Sequence, residues 1–147
     1  ERNSMRLISV VLGTDSDEAR MRESQKLLSY GFRNYETRAL YQPGTALQEQ
    51  PIYYGEVESL PLGVAEEVVL TFPKGYYKDI QASITVPAYF EAPVQRGDAM
   101  GTIELSLADE VLYSGAVVAL AAVEEAGLFS RFGDYIHLMF DQPDADE

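Results

Sequence analysis

The sequence predicts a mainly β protein: a small antiparallel β-sandwich with a strand–helix unit before it and an amphipathic helix after it. Three observations carry this. Val68, Leu70 and Phe72, then Ile80, Ala82, Ile84 and Val86, then Ile103, Leu105 and Leu107, recur at every second position. Polar residues or Val69 fill the alternate positions, as in half-buried strands with one wet face. Turn chemistry separates the runs, and the apolar period changes to that of a helix near both ends of the chain.

Met5 to Gly13 opens the order of elements. Met5, Leu7, Ile8, Val10, Val11 and Leu12 place apolar side chains on both faces, the pattern of a strand covered on both sides. A helix follows. Asp15 or Ser16 can cap it, and Asp17 and Glu18 suit its positive N-terminal end. Glu18 and Arg22 have the spacing of a helical ion pair. Met21, Ser24, Leu27, Leu28 and Gly31 form the expected buried face, with Gly31 as the stop. Tyr35 to Gln42 is expected as a linker, and the sandwich as residues 41–125.

Pro43-Gly44, Pro73-Lys74-Gly75, Arg96-Gly97-Asp98 and Ala108-Asp109-Glu110 supply turns between short strands, the spacing of a two-sheet sandwich. In residues 126–140, Leu128, Phe129, Phe132, Tyr135, Ile136, Met139 and Phe140 follow a helical period, leaving Ser130, Arg131, Asp134 and His137 on the other side. Residues 141–147, DQPDADE, read as an acidic disordered tail.

The unit at Met5 to Phe32 has a consequence. One strand has no neighbour for its backbone ladder, so a sheet is expected upstream. Without that sheet Leu7, Val10, Val11, Leu27 and Leu28 form an exposed apolar patch. The unit is then expected to meet a separate chain, to repack, or to pair between copies, so that oligomerisation runs through residues 5–32.

The order of short motifs adds a family. RLISVVLG followed by ESQKLLSYGF, Pro51-Ile52 through Gly55, Leu62-Gly63-Val64, Val69-Leu70-Thr71-Phe72-Pro73-Lys74-Gly75, Ala92-Pro93-Val94-Gln95, Gly101-Thr102-Ile103 and Asp134-Tyr135-Ile136-His137-Leu138-Met139-Phe140 stand in sequence along nearly the whole chain. In that order and spacing the chain resembles the C-terminal part of the low-molecular-mass penicillin-binding proteins, the D-alanyl-D-alanine carboxypeptidases of the type-5 group. The resemblance implies that residues 1–40 are the terminal strand and helix of an α/β peptidase domain. It implies as partners the upstream peptidase domain and, through it, peptidoglycan stem peptides. It further implies a periplasmic location, peripheral on the inner membrane of a Gram-negative bacterium. The family's chemistry needs Ser-x-x-Lys, Ser-x-Asn and Lys-Thr-Gly. No serine here has Lys three residues on or Asn two residues on, and Lys-Thr-Gly is absent. No catalytic residue is assigned, and the chain alone is expected to be inactive.

Composition excludes other classes. A formal net charge of −13 argues against nucleic acid, whose phosphates need clustered Lys and Arg. The chain has no Cys and a single His, His137, so no metal site, thiol nucleophile or cofactor is expected.

Two groups of residues are candidate contacts. The helix with Leu128, Phe129, Phe132, Tyr135, Ile136, Met139 and Phe140 is the membrane-contact candidate, because the family anchors itself by a terminal amphipathic helix. The plainer reading is a helix packed on the sandwich or on another subunit. The acidic ending leaves lipid binding to apolar burial. Tyr76 and Tyr77, between Lys74 and Lys78, are glycan-contact candidates by ring stacking, against the plainer reading of a hairpin with exposed tyrosines. Tyr53, Tyr54 and Tyr113 are assigned to the core or its rim.

Adjacent carboxylates at Glu66-Glu67, Asp109-Glu110 and Glu124-Glu125 point to opposite faces of an extended chain and do not converge on a substrate. Asp15-x-Asp17 lacks the rest of a calcium loop and is better explained as a helix cap. Arg96-Gly97-Asp98 reads as a tight turn, and His137 as a polar helix residue. An accessory domain holding the peptidase above the membrane therefore ranks first. A peptidoglycan- or protein-binding module ranks second, and a hydrolase using carboxylates last.

Overall fold

A computed structural model describes residues 1, 2 and 4–127. Helix α1 spans Asp17–Asn34. Its start follows from Ser16, whose extended backbone lets Oγ accept the Ala19 N–H at 3.1 Å, with Asp17 and Glu18 in the first turn. The helix runs past the expected stop at Gly31. Its end is closed at Asn34, whose Nδ2 donates to the Tyr30 carbonyl at 2.8 Å, while the Tyr35 N–H reaches the Gly31 carbonyl. Gly31 serves packing instead, since a Cβ there would come 2.5 Å from Leu7 Cδ1.

Eight strands follow: β1 (Tyr35–Tyr41), β2 (Gln48–Tyr53), β3 (Ser59–Gly63), β4 (Val68–Pro73), β5 (Ile80–Thr85), β6 (Phe90–Glu91), β7 (Ala99–Leu107) and β8 (Glu110–Ala119). They make two sheets, β1-β4 and β5-β7-β8-β3-β2-β6. Every pairing between these strands is antiparallel except the short parallel contact of β2 with β6. This is the mainly β, sandwich-like arrangement that the alternation predicted. Val68, Leu70 and Phe72 of β4 are buried while Val69 and Thr71 face water. They pack in one core with Ile52, Leu60, Leu62, Ile103, Leu105 and Val117 from the larger sheet. No buried polar or charged residue interrupts that core among the described residues.

The turns behave as read. Gly97 takes φ +94° in the Arg96-Gly97-Asp98 turn, where Asp98 Oδ2 accepts the Gln95 N–H at 2.8 Å. Gly75 takes φ +91° after Lys74.

Four expectations are corrected. Met5 to Gly13 does not form a strand; beyond an isolated bridge between Arg2 and Met5 the segment pairs with nothing in the two sheets. Its side chains favour a strand, but a ladder needs a partner edge, and none lies beside it. Accordingly the predicted buried face of α1 is not buried: the helix has no buried residue, with Met21 70% and Leu27 55% exposed. Tyr35 to Gln42 is no linker, because Tyr35–Tyr41 is β1, paired with β4 from Tyr35↔Pro73 onward. Arg22 pairs with Glu23 at 3.4 Å rather than with Glu18, while Lys26 reaches the same Glu23 oxygen at 3.0 Å.

Candidate functional site

Two surfaces deserve comparison. The first is the apolar face left by the N-terminal unit. Ile8, Val10 and Leu12 are 79%, 74% and 85% exposed, and Met21 and Leu27 of α1 are exposed too. Leu7, Val11 and Leu28 are half-buried. Large apolar side chains left open in this way are surface of the kind that marks an interaction site. The unit joins the sandwich near Phe32, Asn34 and Tyr35: the Lys74 N–H donates to the Asn34 carbonyl and Lys74 Nζ to the Phe32 carbonyl, both at 2.8 Å.

The second surface is the connection from β4 to β5, which is not the expected hairpin, because β4 pairs with β1 and β5 with β7 in the other sheet. Tyr76 is 52% exposed and leads into a single 3-10 turn, Tyr77–Asp79. Tyr77 is 45% exposed and engaged on its other sides. One side of its ring environment is Phe72, stacked at 6.2 Å between centroids, and the Arg38 guanidinium lies 4.7 Å from its centroid. Arg38 is held in turn by Glu36, with Nη2 at 2.9 Å and Nε at 3.2 Å from Oε2. The two tyrosines therefore stand together in the connection between the two sheets, both exposed, with Tyr77 also part of a layered contact. The sequence alone missed Arg38, because its segment reads as a linker. The only early signal was a cation two residues from a carboxylate, which on a strand places both on one face.

The membrane-contact helix expected from Leu128, Phe129, Phe132, Tyr135, Ile136, Met139 and Phe140 lies outside the described residues, as do His137 and residues 141–147. Tyr53, Tyr54 and Tyr113 are half-buried at the core's edge, with Tyr53 edge-on to Tyr89 at 5.3 Å.

Glu66, Glu67, Asp109, Glu110, Glu124 and Glu125 are exposed. Among the described residues no group of carboxylates or imidazole could hold a metal ion, and no helix is long and apolar enough to cross a membrane. Among the described residues Glu23 titrates clearly below its usual range, held low first by its hydrogen bond to Lys26 and then by the charges of Lys26 and Arg22. That belongs to a helix surface, not to acid–base chemistry.

Comparison with known proteins gives the context. Residues 35–125 match the family model described as penicillin-binding protein 5, C-terminal domain. The chain is 36% identical over 139 residues to the D-alanyl-D-alanine carboxypeptidase DacC of Escherichia coli, covering 94% of this chain and 35% of that protein. It is 36% identical over 137 residues to DacA of the same organism, covering 92% and 34%. In structure it is similar to penicillin-binding protein 5 from Haemophilus influenzae, with a TM-score of 0.76 and 33% identity over 85% of this chain and 37% of that one. The chain thus spans about a third of the length of the curated relatives it matches. The match in sequence order, sandwich and hairpins together places the chain in the penicillin-binding protein 5 C-terminal domain family.

Proposed function

We propose that this chain is the non-catalytic rear part of a serine-type D-alanyl-D-alanine carboxypeptidase of peptidoglycan maturation. The sandwich holds a peptidase domain at a set height above the inner membrane, on its periplasmic side. The carrying observation is the contrast between a sandwich that closes its own core and an N-terminal unit in which Ile8, Val10, Leu12, Met21 and Leu27 stay exposed although Met5 is buried. A rigid body with an adhesive apolar edge is what a pedestal for another domain requires. The sequence holds none of Ser-x-x-Lys, Ser-x-Asn and Lys-Thr-Gly, which supports this reading.

The test is direct. The purified chain should release no D-alanine from a pentapeptide stem and take no label from a fluorescent penicillin; either activity would overturn the reading. The membrane side has its own assay. The chain should float with liposomes, and truncation after Gly127 should abolish flotation; equal behaviour of the two forms would remove the anchor.

A second reading has one observation in its favour, the open ring of Tyr76 beside the Arg38–Tyr77 layer. In it the sandwich itself grips peptidoglycan or a partner of the wall machinery. Retention on sacculi that disappears when Tyr76→Ala and Tyr77→Ala are combined would favour it over the pedestal.

A further inference from the structure

We infer that the cleft between the last turn of α1 and the β1–β4 pair binds a carboxylate, carried by an acidic cell-wall sugar or by the end of a peptide. The inference rests on the cell-wall reading above for the source of its ligand, and on geometry for its chemistry. The cleft encloses about 360 Å³ and is lined by Arg2, Phe32, Tyr35, Thr37, Arg38 and Lys74, with Glu36 the one carboxylate in its wall. That volume suits a single sugar or a dipeptide and lies at the small end of ligand sites. Three cations against one anion make it a positive spot on a chain of net charge −13.

Two of the cations are held in place before any ligand arrives. Arg38 is fixed between Glu36 Oε2, at 2.9 Å, and the Tyr77 ring, at 4.7 Å from its centroid. The bonds to Glu36 engage Nε and Nη2, so Nη1 remains to meet an acceptor. Lys74 is fixed by one bond to the Phe32 carbonyl, and an ammonium has three donors. Arg2 lies 5.1 Å from the centroid of the Phe32 ring. Since Glu36 already balances Arg38, the uncompensated charge comes from Lys74 and Arg2. Donors that need no reordering bind a carboxylate more tightly than loose surface lysines would.

The surrounding charge selects the ligand's size. A polyanion would meet the acidic remainder of the chain and be repelled, whereas a small, singly charged group with an apolar body meets that field least. Phe32 and Tyr35 provide the apolar wall for such a body.

The experiment is an amide-resolved NMR titration of the 147-residue chain. N-acetylmuramic acid and N-acetyl-D-alanyl-D-alanine supply the carboxylate from the two sources, sugar and peptide. N-acetylglucosamine and the C-terminally amidated dipeptide are their neutral counterparts. At least one carboxylate should move the amides of Phe32, Thr37, Arg38 and Lys74, and bind at least tenfold more tightly than its neutral counterpart. Combining Arg38→Gln with Lys74→Gln should cost a further tenfold or more while the amides of β7 and β8 stay in place. Equal response to charged and neutral ligands, or no response at these amides, would overturn the site. So would unchanged binding by the double variant. If the variant loses its β7 and β8 signals, the charged-against-neutral comparison on the unaltered chain decides alone. Binding that succeeds here but vanishes in a form extended to the length of the relatives would reassign the cleft to a contact between domains. Failure here leaves D-alanine release and liposome flotation untouched, so the two readings fall separately.

Discussion

The sandwich and the N-terminal unit obey the same local rules and end in opposite states. Both have well-formed backbone signals: alternation in β4 and β7, a serine cap and acidic first turn in α1. The sandwich buries Phe72, Leu62, Ile103 and Leu105 almost completely, while no residue of α1 is buried. Local chemistry is therefore enough to shape a helix, and burial is what decides whether that helix is held. The half that lacks burial is also the half that presents apolar surface to a partner.

The largest test of this contrast lies in the core. Leu62→Ala should destabilise the chain by about 2–5 kcal/mol, through lost burial and the cavity left behind. Leu27→Ala, made on an exposed helix face, should change stability by no more than about 0.5 kcal/mol. Urea unfolding followed by circular dichroism measures both. Comparable losses would show that α1 belongs to the same cooperative unit as the sheets. In a longer form that covers the helix, Leu27→Ala should become costly.

Next in size is removal of the unit itself. Deleting residues 1–34 takes away the partners of the Lys74 amide and ammonium groups, two hydrogen bonds of 2.8 Å. At about 1 kcal/mol for each bond, the sandwich should lose roughly 1–2 kcal/mol and keep its fold. Failure of the shortened chain to fold would break the comparison. Ser16→Ala is smaller. Loss of the cap should weaken α1 by about 1 kcal/mol. Because the helix can open without the sheets, that loss should appear as faster hydrogen exchange in α1 and not as a shift of the global melt.

Legibility follows the same division. The alternation of Val68, Leu70 and Phe72 was readable because one face meets the core and the other meets water. Ser16 was readable because a cap is local. Tyr35–Tyr41 was not: the burial along β1 does not alternate, since it belongs to a two-stranded sheet and is half-covered on both sides. Met5 to Gly13 was misread for the opposite reason, since side chains that favour a strand cannot supply the edge it must pair with. The carboxylate cleft was invisible, because Phe32, Arg38 and Lys74 meet only through the β1–β4 register that sets Tyr35 against Pro73. Order of motifs supplied the family, which physical pattern alone would have left as an unassigned sandwich.

The smallest expected effect tests whether α1 stands by itself in charge as well as in packing. Glu23 holds Lys26 at 3.0 Å and Arg22 at 3.4 Å, and its carboxyl titrates below the ordinary glutamate range, chiefly through the Lys26 hydrogen bond. A carboxyl whose folded pKa is depressed adds stability above its unfolded value, about 4.3. That contribution fades as the pH falls through the lower folded value. Acidification through this range should therefore reduce helix content slightly in the native chain, and Glu23→Gln should flatten the response. Both changes should be screened by salt, because all three side chains are open to water. The β-sheet signal should not follow. If it did, the exposed pairs of α1 would be coupled to the sandwich core, and the two regions would be one structure rather than a closed body with an unfinished edge.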